Sequence, residues 1–525
     1  MKAAHQIHPR QVTDWLHSVL PVATSRQSRA QLTADSRHIA PGDVFLAYPA
    51  LQSVARSAGD GRQYIAQAIE SGARAVLYDA CNGYEWDTQL SIPHLAVPEL
   101  RQAAGVIAHD WYERPDQGMF SVAVTGTNGK TSCTQWLGQA LSRDGLPTAV
   151  IGTLGVGLFR NGQANHFEAT GYTTPDAVQL QRHLAAQKQQ GASACAIEAS
   201  SIGLDQGRMN GLHVDVAVFT NFTRDHLDYH GSMEAYEAAK AALFDWPGLT
   251  HAVINQDDTM GLRLLARLRE RQPAITIFGY TIADAINIEG VAMLRATDIR
   301  SAATGTIFQL LTPLGNAQVR AQLIGRFNVS NLLAIAGVLF TRGHKLQTVV
   351  ALLESLVPVP GRMQQLGGVD APLAVIDYAH TPDALEKTLH TLRQTAQERH
   401  GALWCVFGCG GDRDPGKRPQ MAAVASQADH QIITNDNPRS EDPAAIIAQI
   451  TAGLDPAASG KLDVIEDRAS AILFAIRHAA KQDVVLIAGK GHESYQEIKG
   501  RRLAFLDADH AALALATRAT RNGGH

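Results

Sequence analysis

The stretch Val122-Ala-Val-Thr-Gly-Thr-Asn-Gly-Lys-Thr131 most constrains what this chain can fold into. A short β-branched run, Val122 to Val124, enters a turn carrying Gly126 and Gly129, and an apolar-periodic helix begins near Lys130 and Thr131. Strand, glycine turn and helix in immediate succession are the parts of a phosphate-binding loop. The glycines let the backbone approach an anion closely, successive N–H groups and the helix N-terminus aim positive charge at it, and Lys130 adds a mobile cation. Thr131 is placed to put its hydroxyl on a magnesium ion. The spacing departs from Gly-x4-Gly-Lys-[Ser/Thr], which would need glycine at Val124, whereas the first glycine is Gly126. Alone, the loop leaves a purely structural turn open.

A chain of 525 residues is too long for one typical domain and suggests about three. With 46 Lys and Arg against 50 Asp and Glu, a net charge of -4 and no dense basic block, nucleic acid is excluded as a main partner. Five scattered cysteines, of which only Cys405 and Cys409 are close, read as core residues in a reducing compartment rather than a zinc site. The N-terminus has no apolar signal core, and the longest apolar runs, such as Leu332 to Phe340, fall short of the ~20 residues that span a bilayer. The expectation is a cytoplasmic, monomeric protein with small-molecule partners and no membrane contact.

Up to residue 108, Val44 to Tyr48 and Ala75 to Tyr78 read as strands and Tyr64 to Ser71 as a helix stopped by Gly72. From 109 to 357 the chain alternates strand and helix around the loop. Ala192 to Ile197 ends in Glu198-Ala-Ser-Ser201, and Val214 to Thr220 ends in Asn221-Phe-Thr-Arg-Asp-His226. Open α/β sheets place ligands at the carboxyl ends of parallel strands, so Glu198 and His226 are expected beside the phosphate loop, with Glu198 as a magnesium ligand. Residues 290 to 320 suggest a small antiparallel insertion, and Asn328 and Asn331 read as helix caps ahead of Leu332 to Phe340. Pro358-Val-Pro-Gly361 marks a boundary. Beyond it, Leu373 to Asp377, Leu403 to Gly408, Gln431 to Thr434 and Asp483 to Gly489 are strand candidates, each followed by a charged loop. Four such loops at one end of a sheet read as a site. The tail from Thr517 is expected to fray.

Six segments in order, Gly-Thr-Asn-Gly-Lys-Thr (126 to 131), Glu198-x-Ser-Ser, Asn221-x-Thr-Arg-Asp-His226, Gly325-x-Phe-Asn328, Pro360-Gly-Arg-Met363 and Asp377-Tyr-Ala-His-Thr-Pro382, resemble the motifs of the Mur ligases. These are ATP-dependent amide-forming enzymes of peptidoglycan precursor synthesis, and the resemblance covers essentially the whole chain. It implies an α/β fold of three domains: a uridine-nucleotide-binding domain (1–108), a central P-loop ATPase-like domain with the small antiparallel insertion (109–357) and a Rossmann-like C-terminal domain (358–525). Asp436-Asn-Pro-Arg439 looks like the diaminopimelate-binding motif of one branch of the family. A guanidinium fork pairs bidentately with a carboxylate, and diaminopimelate differs from lysine by one carboxylate at its far end.

The resemblance implies that the D-glutamate side chain of UDP-N-acetylmuramoyl-L-alanyl-D-glutamate attacks ATP to give an acyl phosphate, which meso-2,6-diaminopimelate then converts to an amide. It implies Lys130, Glu198, His226 and Lys240 as catalytic, with magnesium held by Thr131, Glu198, His226 and Lys240, the last as a carbamate. ATP would be held by Gly126, Thr127, Asn128, Gly129, Lys130, Thr131 and Asn328, and by Arg362, Asp377 and His380 of the third domain after closure. The UDP substrate falls to Ser36, Thr173, Thr174, Ser200, Gln206 and Arg208. The amino acid falls to Arg413, Asp436, Asn437, Pro438, Arg439, Gly489 and Glu493. Two features depart from the pattern: Ile202 stands where many relatives have His, and the loop Tyr48 to Ser57 is altered, which weakens uridine contacts assigned there. The alternatives are a lysine-adding ligase, a folylpolyglutamate synthase-like ligase and a non-catalytic nucleotide-binding protein.

Overall fold

The structure is a computed structural model that describes residues 8–21, 30–49, 59–271, 274–284, 288–302, 305–454 and 461–522. The altered 48–57 loop therefore lies outside the described residues from position 50 on. The chain divides into two compact units, one of residues 1–297, 310–317 and 330–353, the other of 298–309, 318–329 and 354–525.

The first unit opens with four parallel strands in chain order, β1 (Leu32–Thr33), β2 (Val44–Ala47), β3 (Ala75–Tyr78) and β4 (His94–Ala96). Every residue of β2 and β3 is buried because apolar side chains cover both faces of the sheet. Val44 and Leu46 meet Val12, Leu16, Leu100 and Trp111 on one face, while Phe45 and Ala47 meet Ile65 and Ala68 on the other.

Eleven strands form the next sheet: β5 (Phe120–Thr125), β6 (Thr148–Gly152), β7 (Gly155–Arg160), β8 (Gln163–Ala164), β9 (Ala194–Glu198), β10 (Val216–Phe219), β11 (His251–Asn255), β12 (Thr276–Thr281), β13 (Val291–Ala302), β14 (Gly305–Thr312) and β15 (Gly315–Ala321). Their order is β15-β14-β13-β12-β11-β10-β5-β9-β6-β7-β8. The 290–320 segment thus adds strands to the sheet, β13 pairing parallel with β12. β5 lies where the order reverses, β9 and β6 being on one side and β10 on the other. Parallel register aligns Val124 with Glu198 and Thr125 with Phe219, so the loops after β5, β9 and β10 leave from one edge. That edge of a switch point is where such sheets bind ligands.

The second unit is built on β16 (Gln364–Gly367), β17 (Leu373–Asp377), β18 (Leu403–Phe407), β19 (His430–Ile433), β20 (Lys461–Val464) and β21 (Val484–Ala488) in the order β16-β17-β21-β18-β19-β20. All pairs are parallel except β16 with β17. Leu373 and Val375 face one core, Ala374 and Ile376 the other. A hairpin of β22 (Tyr495–Ile498) and β23 (Arg501–Ala504) follows. Arg468 and Asp507 are both fully buried and pair through two hydrogen bonds of 2.7 Å, and Arg468 also donates to the carbonyl of Ala488 at the end of β21. Cys405 and Cys409 are core residues, as their spacing suggested; burial pushes their thiols up to about 12 and about 11.

Two local readings are corrected. Asn328 and Asn331 do not cap a helix: the helix runs Arg326–Thr341 and contains both, and Asn328 Nδ2 bonds back to the carbonyl of Ile324. The tail expected to fray from Thr517 is helical as far as Asn522, in the helix Asp507–Asn522, whose first turns are packed in the core by Asp507, Ala511 and Ala514; residues 523–525 lie outside the described residues.

The helix Leu100–Trp111 crosses the 207–212 turn at Gly105, where a Cβ would stand 2.0 Å from the carbonyl oxygen of Asn210. Helix propensity alone makes Gly105→Ala stabilising by up to ~1 kcal/mol. The contact reverses the sign, since overpacking against backbone costs about 1–3 kcal/mol. Urea unfolding of Gly105→Ala is expected to show a lower midpoint with an unchanged slope.

Candidate active site

In the first unit the phosphate loop is braced from the strands beside it. Thr127 N donates to the carbonyl of Asn221 at 2.8 Å, Asn128 N to Asn221 Oδ1 at 2.9 Å, and Thr220 Oγ1 to the carbonyl of Asn128 at 2.6 Å. Gly126, at φ 149°, is required by more than its backbone: a Cβ there would meet Thr220 Oγ1 at 1.9 Å. Gly129, at φ 88°, precedes the helix Lys130–Arg143, and Asn331 Oδ1 fills the space a Cβ would take.

Lys130 Nζ folds back onto the carbonyls of Gly126 (2.8 Å) and Thr127 (2.9 Å). Lys240, in the helix Met233–Ala241, is buried and donates to the same Gly126 oxygen at 2.8 Å, its Nζ 4.4 Å from the Tyr236 ring centroid. Burial first, and the Lys130 charge second, depress the Lys240 ammonium well below its ordinary range. Tyr236 is bound to the loop as well, its hydroxyl 3.1 Å from Thr127 Oγ1. His226 holds a left-handed φ of 51° at the start of the next short helix, its ring edge-on to Tyr236. Desolvation lowers its pKa; Asp225 opposes this, and the Lys130 and Lys240 charges reinforce it.

Glu198 ends β9 with only 1% of its surface exposed. Its Oε2 accepts from Thr131 Oγ1 and Thr153 Oγ1, both at 3.1 Å, and its Oε1 from Thr153 N at 2.8 Å. Gly152 makes room, for a Cβ there would lie 2.1 Å from Oε1. Thr153 follows β6 at the same sheet edge and was not singled out from sequence, since a lone threonine carries no motif.

Thr153 Oγ1 is also 3.1 Å from Thr173 Oγ1, which begins the second cluster. Thr174 Oγ1 lies 2.8 Å from Ser200 Oγ and 2.7 Å from the Glu198 carbonyl, to which it donates. Arg208 donates to the carbonyl of Thr174 (2.9 Å) and twice to Gln206 Oε1, and its guanidinium stacks over Tyr172 at 4.7 Å. Thr173, Thr174, Ser200, Gln206 and Arg208 are therefore one network joined to Glu198. Ser36 lies in the short helix Ser36–His38 after β1, buried, with Asp35 capping the turn by accepting from Arg37 N. At Ile202 no imidazole is present, but His230 Nε2 lies 3.0 Å from the hydroxyl of neighbouring Ser201.

The second unit gathers the other predicted residues at the carboxyl ends of β17, β18, β19 and β21. Asp377 is bound through both oxygens, accepting from Met363 N at 2.9 Å and Ala379 N at 3.0 Å, and burial raises its pKa against the pull of Arg362. Arg362 lies over the Tyr378 ring at 4.5 Å, and His380 Nδ1 bonds the Tyr378 carbonyl at 2.8 Å. Asn328 belongs to this unit too.

Asp436 and Asn437 follow β19. Gly489, at φ 113°, leaves open the space beside Asp436 Oδ2, which a Cβ would crowd at 2.6 Å. Asn437 Nδ2 donates to Glu493 Oε2 at 2.7 Å. Pro438 leads into Arg439, held at φ 51°, whose Nη1 donates to the carbonyl of Gly411 at 2.7 Å and whose Nε lies 3.9 Å from Glu497 Oε2. Arg413 is exposed, and among the described residues its guanidinium reaches only its neighbour's carbonyl, at 3.4 Å. Arg418 instead is the buried cation of that loop, pairing with Glu441 through both outer nitrogens at 2.9 Å. Among the described residues there is no cluster of three or more His, Cys, Asp or Glu able to hold a metal, and no helix long and apolar enough to cross a membrane.

Comparison with known proteins agrees with the pattern of motifs. The profile of the Mur ligase middle domain matches residues 124–339, and that of the Mur ligase, glutamate ligase domain, matches 361–491. A protein of Janthinobacterium sp. (strain Marseille) named UDP-N-acetylmuramoyl-L-alanyl-D-glutamate--2,6-diaminopimelate ligase is 62% identical over 506 residues, 96% of this chain and 98% of that protein. One of the same name from Ralstonia nicotianae is 51% identical over 510 residues, 97% of this chain and 96% of its own. A solved structure of an enzyme of that name superposes with a TM-score of 0.65 at 36% identity, over 95% of this chain and 98% of the other. A Mycobacterium tuberculosis folylpolyglutamate synthase complexed with ADP and AMPPCP shares the fold alone, at 20% identity, 81% and 95% coverage and a TM-score of 0.57. With two profiles spanning most of the chain and relatives matching it nearly end to end, the protein belongs to the Mur ligase family.

Proposed function

We propose that this protein is the ATP-dependent ligase that adds meso-2,6-diaminopimelate to UDP-N-acetylmuramoyl-L-alanyl-D-glutamate, acting as a monomer on small molecules in the cytoplasm. The observation that carries the reading is the end-to-end match to diaminopimelate ligases, at 62% identity, together with Arg439 on the loop after β19.

The D-glutamate side-chain carboxylate attacks the γ-phosphorus of ATP, ADP leaves, and an acyl phosphate forms. The amine of diaminopimelate then attacks the acyl carbon, the tetrahedral intermediate expels phosphate, and an amide remains. Two anions meet in the first step, so catalysis rests on positive charge placed beforehand. Lys130 and the amides after Gly126 supply it at the loop, and Lys130 need only swing from the Gly126 and Thr127 carbonyls onto phosphate oxygens. The network of Thr173, Thr174, Ser200, Gln206 and Arg208 takes the UDP substrate, and its bond to Thr153 keeps it next to Glu198.

The residues fit a magnesium ion. Thr131 and Glu198 bring a hydroxyl and a buried carboxylate together at 3.1 Å beside the phosphate loop, the oxygen donors such an ion takes alongside water and phosphate. Thr131, Glu198, His226 and Lys240 as a carbamate would hold it, and it would supply neutralisation of the phosphate charge. Lys240 fits that modification, because an amine depressed by burial and by Lys130 is a nucleophile for carbon dioxide. The nitrogen bonds to carbon, a proton is released, and the product is an anion beside Lys130.

At the second unit the Arg439 fork supplies a carboxylate partner that lysine lacks. Purified protein given UDP-substrate and ATP is expected to release phosphate with diaminopimelate and very little with lysine; equal release overturns the assignment. Arg439→Ala is expected to raise the KM for diaminopimelate by about 100-fold or more, the loss of one side of a desolvated ion pair. Arg439→Lys should recover little of it, because the fork is gone. For Lys240, a carbamate carbonyl signal is expected in 13C spectra after incubation with labelled bicarbonate. It should weaken as pH falls and the amine protonates, and be missing from Lys240→Arg; a wild-type spectrum without it removes the carbamate from the scheme.

A further inference from the structure

The loop after β21 holds a charged side chain that the scheme above does not use. Lys490 is fully buried, and its Nζ donates to Asn437 Oδ1 and to Glu493 Oε2, each at 3.0 Å. Asn437 Nδ2 donates to the same Glu493 oxygen at 2.7 Å, and Glu497 N donates to Asn437 Oδ1 at 2.9 Å. The Asn437 amide therefore has one orientation: two donors face its oxygen, and a carboxylate faces its nitrogen. Glu493 is fixed just as firmly, with Oε2 held by two donors while Oε1 has no hydrogen-bond partner among the described residues.

A buried ammonium is poor evidence of stabilisation, because the cost of desolvating it offsets the attraction of its partner. An apolar side chain of similar length would pack in its place. What Lys490 supplies that an apolar residue cannot is direction: it holds one oxygen of Glu493 and leaves the other to accept from the ammonium of an amino acid. The hairpin that follows belongs to the same arrangement, since Gln496 Nε2 donates to the Asp436 carbonyl at 2.8 Å and Arg439 N to the Glu497 carbonyl at 2.9 Å.

We propose that Lys490 is a positioning residue for the amino-acid substrate, aiming the Glu493 carboxylate at its ammonium group, with the Asn437 amide bracing the same Glu493 oxygen. This rests on the reading of the β18, β19 and β21 loops as the diaminopimelate site. The test is steady-state kinetics of Lys490→Met and Lys490→Gln with each substrate varied in turn, and a melting temperature for each protein. Both variants are expected to raise the KM for diaminopimelate about 10-fold or more, with the KM for ATP and for the UDP substrate within about 2-fold of wild type. Acyl phosphate trapped by hydroxylamine in the absence of diaminopimelate should form at the wild-type rate. Because Lys490 acts through Glu493, adding Lys490→Met to Glu493→Gln should raise that KM no further than Glu493→Gln alone.

An unchanged diaminopimelate KM in whichever variant folds, or an equal rise for all three substrates, overturns the proposal. Failure of the underlying reading appears elsewhere, as wild-type protein that releases no phosphate in response to diaminopimelate, and it takes this proposal with it.

Discussion

One carbonyl oxygen, that of Gly126, accepts hydrogen bonds from two lysine side chains at once. Two ammonium groups on one oxygen stand no more than twice a hydrogen-bond length apart, and at an effective dielectric near 20 their repulsion is about 3 kcal/mol. Lys240 cannot move off, being buried in a helix that also fixes Tyr236 against Thr127. The conflict is relieved by an unprotonated Lys240, by an anion, or by both, and the rest of the loop is built to admit the anion. Gly126 and Gly129 keep side chains out of it, Asn221 and Thr220 hold its shape, and Glu198 is tied down on the neighbouring strand.

The two units solve the problem of holding charged ligands in different ways. In the first, Thr131 and Thr153 donate to the buried Glu198 carboxylate, Thr153 also meets Thr173, and Thr174 joins Ser200 and the Glu198 carbonyl beside Arg208. Hydroxyls rotate and can trade partners when substrate arrives. In the second, charged groups bind one another before any substrate is present, Lys490 with Glu493 and Arg418 with Glu441. That arrangement sets geometry in advance and leaves the outward-facing atoms of Glu493 and Arg439 to the ligand.

Much of this was legible in the chain because parallel strands are buried on both faces and so read as short apolar runs with polar loops at one end. The strand Leu373–Asp377 was read to the residue, and the others of its sheet that were recognised shift by a single position. The loops after them were recognisable because charge has little other reason to recur at one sheet edge. What escaped lacked such signals. Thr153 is an ordinary threonine whose importance lies in its distance from Glu198, and Lys490 acts on a residue 53 positions away. The Tyr495–Ile498 and Arg501–Ala504 hairpin was invisible because its residues are half-buried or exposed, with no alternating apolar face. Asn328 misled because asparagine is a good cap, and here it serves inside the helix by bonding back to Ile324.

The buried pair of Arg468 and Asp507 bears on how the second unit is made. Arg468 reaches the end of β21 and the Asn435 carbonyl, so the loops of β19 and β21 close around a cation whose counter-ion belongs to the last helix. During synthesis, every strand of that sheet leaves the ribosome before Asp507 does. Until it arrives, closing the sheet would seal an unpaired guanidinium away from water. The second unit must wait for the helix Asp507–Asn522, which makes the order of translation part of how its substrate loops acquire their shape.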